Sequence, residues 1–149
     1  ANGQVVISGS KAGVDRACEL AKEAGAKRAM PLAVSAPFHS ALMQPAADEM
    51  AEALKDVAIA APAVPVVANV RAEAVSDPEL IRTLLVEQVT GKVRWLESVV
   101  YMRDQGVEEL VECGSGKVLT GLTKWIDKSI KGQTINSADA VRALVEAGL

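Results

Sequence analysis

The chain has 149 residues, which is enough for one ordinary domain with its own hydrophobic core. Half of the residues are hydrophobic and 23% are charged, a balance typical of a globular protein, and aromatic residues make up only 3%. The net charge of −3 argues against a nucleic-acid or membrane-surface role. No apolar run approaches the roughly 20 residues that a membrane span needs.

The two cysteines favour a reducing environment, in which thiols stay unpaired. Cys18 and Cys113 lack the spacing of a metal site, and the chain has only one histidine. We therefore predict no metal site and a cytoplasmic location. The chain begins at Ala1 rather than at Met, and an apolar run follows almost at once, so we expect a fragment of a longer protein.

The first part of the chain predicts a strand–helix–strand unit and then a second helix. Buried strands are predicted at residues 5–8 and 26–34, on either side of an amphipathic helix at 11–24. A helix at 41–57 follows, and Ser40 is well placed as its N-cap.

Strands and helices alternate through the rest of the chain. Strands are predicted at 64–70, 107–113 and 133–136, and helices at 78–89, 93–105, 117–131 and 139–147. This alternation indicates an α/β fold with a parallel sheet and helices on its faces.

The single histidine, His39, lies on a predicted strand-to-helix connection. In open α/β sheets that is where ligands bind, and histidine is the side chain best suited to proton transfer near neutral pH. A lone histidine is more often a surface or core residue without chemistry, so its position alone does not make it catalytic. Gln88 ends a predicted helix, where a backbone carbonyl is free to accept a hydrogen bond, although an ordinary helix-end residue is the simpler interpretation.

Two further patterns have a functional and a structural interpretation. Gly114-Ser115-Gly116 precedes a predicted helix and is a weak candidate anion cradle, but a tight turn explains it more simply. Four lysines are predicted on one helical face, opposite Val118, Leu122, Trp125 and Ile126: Lys117, Lys124, Lys128 and Lys131. A solvated helix face is the usual meaning of such a pattern, and an acidic protein partner is the alternative.

Several stretches, taken in order, resemble the carboxyl-terminal half of the malonyl-CoA:acyl-carrier-protein transacylase family, the acyltransferases of fatty acid and polyketide synthesis. They cover essentially the whole chain and comprise residues 3–9, 24–29, 37–43, 65–70, 93–95 and 116–122. The resemblance implies an α/β-hydrolase-like domain with an inserted ferredoxin-like small subdomain. Residues 1–34 would be the last part of the small subdomain, and residues 35–149 the carboxyl-terminal part of the large one.

The resemblance also implies a ping-pong reaction. A serine attacks the malonyl thioester of coenzyme A, His39 acts as general base, and the backbone carbonyl of Gln88 orients the imidazole. The acyl group then passes to the phosphopantetheine thiol of acyl carrier protein, and no cofactor is needed beyond the coenzyme A thioester substrate. Phe38 resembles the bulky residue of malonyl-selective members, a preference worth only about 1–3 kcal/mol.

The sequence departs from the family at the nucleophile. No Gly-x-Ser-x-Gly motif occurs in the chain, and Gly114-Ser115-Gly116 stands where the family often has Gly-Pro-Gly. We therefore expect the base and its orienting carbonyl here, the serine in a missing amino-terminal half, and no turnover by this chain alone. The alternative is a non-catalytic α/β binding module that docks an acidic carrier protein through Lys117, Lys124, Lys128 and Lys131.

Overall fold

A computed structural model describes residues 3–148 of the chain. They form two compact units, one of residues 5–94 and one of residues 95–148 together with residues 3 and 4. Each unit combines helices with a two-stranded sheet, and six α-helices occur among the described residues, so the predicted α/β class is confirmed. The predicted subdomain boundary between residues 34 and 35 stays a prediction.

The unit of residues 5–94 contains three α-helices, a 3₁₀ turn and an antiparallel strand pair. These are α1 (Lys11–Glu23), the 3₁₀ turn (Ala41–Met43), α2 (Gln44–Leu54), β1 (Val66–Ala68), β2 (Glu73–Val75) and α3 (Pro78–Thr90). Val66 of β1 pairs with Val75 of β2. Helices α2 and α3 pack together, each with a buried side chain, Ala47 and Leu84 respectively.

The helix starts follow from local sequence. The Ser10 hydroxyl caps α1 by accepting a hydrogen bond from the amide of Gly13 at 3.1 Å. The Asp77 carboxylate caps α3 by accepting from the amide of Leu80 at 2.7 Å, and Pro78 opens that helix. The Asp77 cap therefore sets where α3 begins.

The predicted strands at 5–8 and 26–34 are absent from the structure. Their apolar side chains are exposed rather than buried, with 86% of Val5, 61% of Met30 and 60% of Leu32 open to solvent. A strand needs a hydrogen-bonded neighbour, and no strand among residues 3–148 pairs with either segment. The apolar runs predict buried strands, but residues 3–148 contain no strand that pairs with them or covers them.

The unit of residues 95–148 contains a βαβ arrangement. Its elements are α4 (Trp95–Asp104), β3 (Glu109–Cys113), α5 (Val118–Ile126), β4 (Lys131–Ile135) and α6 (Ala138–Glu146). Strands β3 and β4 are parallel, with Glu109 opposite Lys131 and Cys113 opposite Ile135. Val99, Ile130 and Ile135 form buried parts of its core.

Helix α5 is shorter than its sequence pattern predicts. It ends at Ile126 rather than at residue 131, and β4 begins at Lys131 rather than at residue 133. The cause is the extended backbone of Asp127, whose carboxylate accepts hydrogen bonds from the amide and the hydroxyl of Ser129. This turn separates the helix from the strand and changes where the lysines lie.

Candidate active site

His39 lies in a tight turn that its neighbours stabilise. Its φ angle of 58° is in the left-handed region, which few non-glycine residues adopt and which often marks a functional site. The Ser40 hydroxyl donates a hydrogen bond of 2.7 Å to the carbonyl of Pro37 and so closes the turn around Phe38 and His39. The predicted role of Ser40 as N-cap of a helix at 41–57 is wrong. Residues 41–43 form a 3₁₀ turn that the Ser40 side chain does not cap, and α2 spans only Gln44–Leu54.

The structure brings His39 and Gln88 together across 49 positions of sequence. Nδ1 of His39 lies 3.0 Å from the backbone carbonyl oxygen of Gln88. Helix α3 ends two residues later at Thr90, and Gly91 is extended, with its amide donating to Glu87 at 2.8 Å. Within the described residues no backbone amide donates to the Gln88 carbonyl, which leaves that oxygen for the imidazole.

This contact selects one tautomer of the imidazole. A carbonyl oxygen only accepts, so Nδ1 must carry the hydrogen and donate it to Gln88. Nε2 of His39 then has a free lone pair, and the side chain is exposed. An imidazole held in this tautomer can accept a proton at Nε2.

Phe38 directly precedes the histidine and is 46% exposed. Its effect on acyl selectivity stays a prediction.

The structure does not bring the four lysines onto one helical face. Lys117 is the N-cap of α5, only Lys124 lies within the helix, and Lys128 is in the turn that follows. Lys131 begins β4 and lies 3.0 Å from the carboxylate of Glu109. The predicted opposite face is not buried either, because Trp125 is 77% exposed.

Gly114-Ser115-Gly116 forms a tight turn rather than an open anion cradle. Gly114 and Gly116 have φ angles of 131° and 93°, conformations that favour glycine. The Glu112 carboxylate already accepts from the first amides of α5, those of Leu119 at 3.1 Å and Thr120 at 2.7 Å. The bond from the Thr120 amide is the main cause that lowers the pKa of the Glu112 carboxyl.

Sequence reasoning missed this role of Glu112, because an acid seven or eight residues before the amides lies outside the usual capping spacing.

Among the described residues no group of three or more His, Cys, Asp and Glu side chains is arranged to hold a metal ion. None of the helices in that part of the chain combines the length and the apolar content needed to cross a membrane.

Comparison with known proteins identifies relatives over nearly the whole chain. No family model matches it. The malonyl CoA-acyl carrier protein transacylase of Escherichia coli K12 is 50% identical over 144 residues, which cover 97% of this chain and 47% of that protein. The one from Bacillus subtilis is 42% identical over 144 residues, covering 97% of this chain and 45% of the relative.

Solved structures agree with these relatives. The acyl-carrier-protein-S-malonyltransferase of Bartonella henselae has a TM-score of 0.87 and 51% identity, over 95% of this chain and 45% of that one. A malonyl-transacylase in complex with a type II PKS acyl-carrier protein has a TM-score of 0.86 and 45% identity, over 93% and 45% of the two chains. The present chain thus spans about half the length of the relatives it matches. Over nearly its whole length the chain is similar to the carboxyl-terminal half of malonyl CoA-acyl carrier protein transacylases.

Proposed function

We propose that this chain supplies the general base of an acyltransferase that moves a malonyl group from coenzyme A to the phosphopantetheine thiol of acyl carrier protein. The observation that carries the proposal is the 3.0 Å contact between Nδ1 of His39 and the Gln88 carbonyl. It leaves Nε2 able to accept a proton, which is what the attack of a serine or a thiol on an acyl carbonyl requires.

The proposed reaction proceeds in two half-reactions, with the serine supplied by the other half of the enzyme. Nε2 of His39 takes the serine proton as the serine oxygen attacks the malonyl thioester, and it returns that proton to the departing coenzyme A sulfur. In the second half-reaction Nε2 takes the proton of the phosphopantetheine thiol, whose sulfur attacks the acyl-serine, and the serine oxygen regains a proton. Throughout, the Gln88 carbonyl holds the ring in one orientation, because Nδ1 carries a hydrogen in both protonation states.

The same proposal extends to the fold of the complete enzyme and its setting. We propose an α/β-hydrolase-like large domain, to which residues 35–149 contribute, and a ferredoxin-like small subdomain that ends with residues 1–34. The exposed apolar side chains of Val5, Met30 and Leu32 support it, because a neighbouring strand from the remaining half would cover them. The enzyme would act in the cytoplasm, with the coenzyme A thioester as substrate and no further cofactor.

Two surface features define proposed substrate contacts. Phe38, beside His39, would crowd a branched acyl group and favour malonyl over methylmalonyl by about 1–3 kcal/mol. Lys117, Lys124 and Lys128 are exposed around α5 and would contact the acidic carrier protein. A purely non-catalytic docking module is the weaker alternative, because the lysines do not share one face whereas His39 and Gln88 meet.

The test is His39→Asn in the complete enzyme that contains this chain. Asparagine tolerates the left-handed backbone of this position, so the turn should persist while the base is lost. We expect malonyl transfer to fall by a factor of about 10²–10⁴, with an unchanged unfolding midpoint. Turnover within a few-fold of the unmodified enzyme would refute the proposal.

A further inference from the structure

The side chain of Gln88 makes contacts that its backbone carbonyl does not explain. Nε2 of Gln88 donates a hydrogen bond of 3.0 Å to the carbonyl of Gly91 and lies 3.4 Å from Nδ1 of His39. Its Oε1 is buried and has no hydrogen-bond partner among the described residues. Gln88 therefore makes two contacts at the end of α3. Its side-chain amide nitrogen binds Gly91 in the segment that follows, and its backbone carbonyl oxygen contacts the imidazole of His39.

The orientation of this amide follows from its partners. The Gly91 carbonyl only accepts, so the atom facing it must be the amide nitrogen. That nitrogen is a donor and so cannot accept the hydrogen of Nδ1. The hydrogen is therefore directed to the Gln88 carbonyl at 3.0 Å.

The segment after the helix packs against the last turn without spare room. A Cβ atom placed on Gly91 would lie 2.7 Å from the carbonyl oxygen of Glu87 and 2.8 Å from Cγ2 of Val70. Two hydrogen bonds join this glycine to the helix end, from its amide to Glu87 and from Gln88 Nε2 to its carbonyl. The second of these bonds belongs to the residue whose carbonyl contacts the histidine.

We propose that Gln88 is a positioning residue through its side chain as well as through its carbonyl. The amide ties the last turn of α3 to Gly91 and so keeps the carbonyl where it meets Nδ1 of His39. Every residue type has a backbone carbonyl, so the carbonyl contact alone gives no reason for a glutamine here. This inference rests on the proposed role of His39 as the base.

The experiment compares Gln88→Ala and Gln88→Met in the complete enzyme. Alanine removes the amide and keeps the carbonyl, and methionine restores the length without a donor. We expect both variants to lower kcat about tenfold with KM for malonyl-CoA unchanged, because a displaced general base slows chemistry rather than binding. Glu87→Ala is the matched control, since it removes an exposed side chain from the same helical turn and should keep kcat.

A second readout follows the imidazole directly. His39 is the only histidine of the chain, so labelling this half with ¹⁵N-histidine by segmental ligation gives one imidazole signal. Its nitrogen shifts should report the hydrogen on Nδ1 in the unmodified enzyme and in Glu87→Ala, and a mixture of tautomers in both Gln88 variants.

The outcomes separate the two proposals. If Gln88→Ala keeps both kcat and the Nδ1–H tautomer, the side chain has no positioning role, even where His39→Asn abolishes turnover. If Gln88→Met behaves as the unmodified enzyme while Gln88→Ala does not, packing rather than the hydrogen bond is responsible and the inference is wrong. If His39→Asn retains turnover, the proposed function fails, and the tautomer measurement still tests the contact.

Discussion

Two helix ends in the unit of residues 5–94 satisfy their carbonyls in different ways. At the end of α2 the guanidinium of Arg82 donates to the carbonyl of Leu54, and to that of Val57 at 2.8 Å. Near the end of α3 the Gln88 carbonyl accepts from the imidazole of His39. Arginine keeps its charge at any ordinary pH, whereas histidine gains and loses a proton. Free backbone carbonyls thus bind a permanent cation at one helix end and an imidazole at the other.

A helix end is a candidate site only where no other group of the fold already hydrogen-bonds to its terminal amides or carbonyls. The amino end of α5 looks open in sequence because of Gly114-Ser115-Gly116, yet Glu112 takes its amides. The carbonyl end of α3 looks ordinary, yet it is available to His39 because Gly91 turns the chain away. Substitution of the side chains that hydrogen-bond at or near each helix end tests this interpretation.

The largest expected effect on stability is at the end of α2. Arg82→Met removes a charged donor from two carbonyls, and we expect the free energy of unfolding to fall by about 2 kcal/mol. Arg16→Met is the matched control, because Arg16 forms only exposed ion pairs with Glu19 and Glu23, worth at most about 1 kcal/mol. Urea unfolding of both variants measures this difference. Equal midpoints would show that the bonds from Arg82 to the Leu54 and Val57 carbonyls do not stabilise the end of α2.

A smaller effect is expected on the histidine side of the active-site contact. Ser40→Ala removes the hydrogen bond to Pro37 that closes the turn, a loss of about 1 kcal/mol. We expect kcat of malonyl transfer to fall about fivefold, since the turn then holds His39 less firmly. Ser76→Ala, at an exposed loop position, serves as the control. Equal rates in the two variants would show that Phe38 and His39 keep their turn without Ser40.

Local sequence predicted the features of the fold that depend on near neighbours. The helices predicted at 11–24 and 78–89 begin at the same residues as α1 and α3, where Ser10 and Asp77 cap the first turn. The resemblance to the transacylase family supplied His39 and Gln88, and the 3.0 Å contact agrees with that pairing. No local signal in either segment indicates that these residues meet, because 49 positions separate them.

The features that sequence did not predict depend on distant partners. The apolar run at 26–34 has the composition of a buried strand, but strand formation depends on a neighbour that residues 3–148 do not provide. Strand β2 was missed because it has three residues and follows Ala72, whose left-handed φ of 58° carries no glycine or asparagine signal. The end of α5 was placed too late because its helical periodicity continues past Asp127.

The amino end of α5 offers a milder test. Glu112→Gln leaves one oxygen to accept from the amides of Leu119 and Thr120 but removes the charge that strengthens both bonds. We expect a modest fall in the urea midpoint at neutral pH, and a smaller difference from the unmodified protein in acid, where the carboxyl is protonated. Phosphate should not shift the midpoint of the unmodified protein. Stabilisation by phosphate would mean that the α5 amides are open to anions after all.

At the other end of α5 the smallest effect is expected, a change of stability with pH that falls below about pH 4. The hydroxyl of Ser129 and the guanidinium of Arg103, 2.8 Å away, lower the pKa of the Asp127 carboxyl to about 2 from its ordinary 3.8. The unfolded chain therefore takes up this proton first as the pH falls below about 4, so the contribution of Asp127 is full above that pH and is lost towards pH 2. Asp127→Asn should flatten the fall of the urea midpoint between pH 4 and pH 2, whereas Asp139→Asn, at an exposed position in α6, should not. If both variants lose stability as steeply as the unmodified protein, Asp127 does not hold the end of α5 through its charge. Ser129 would then close that turn by its hydrogen bonds alone, while the ends of α2 and α3 and the start of α5 would still depend on Arg82, His39 and Glu112.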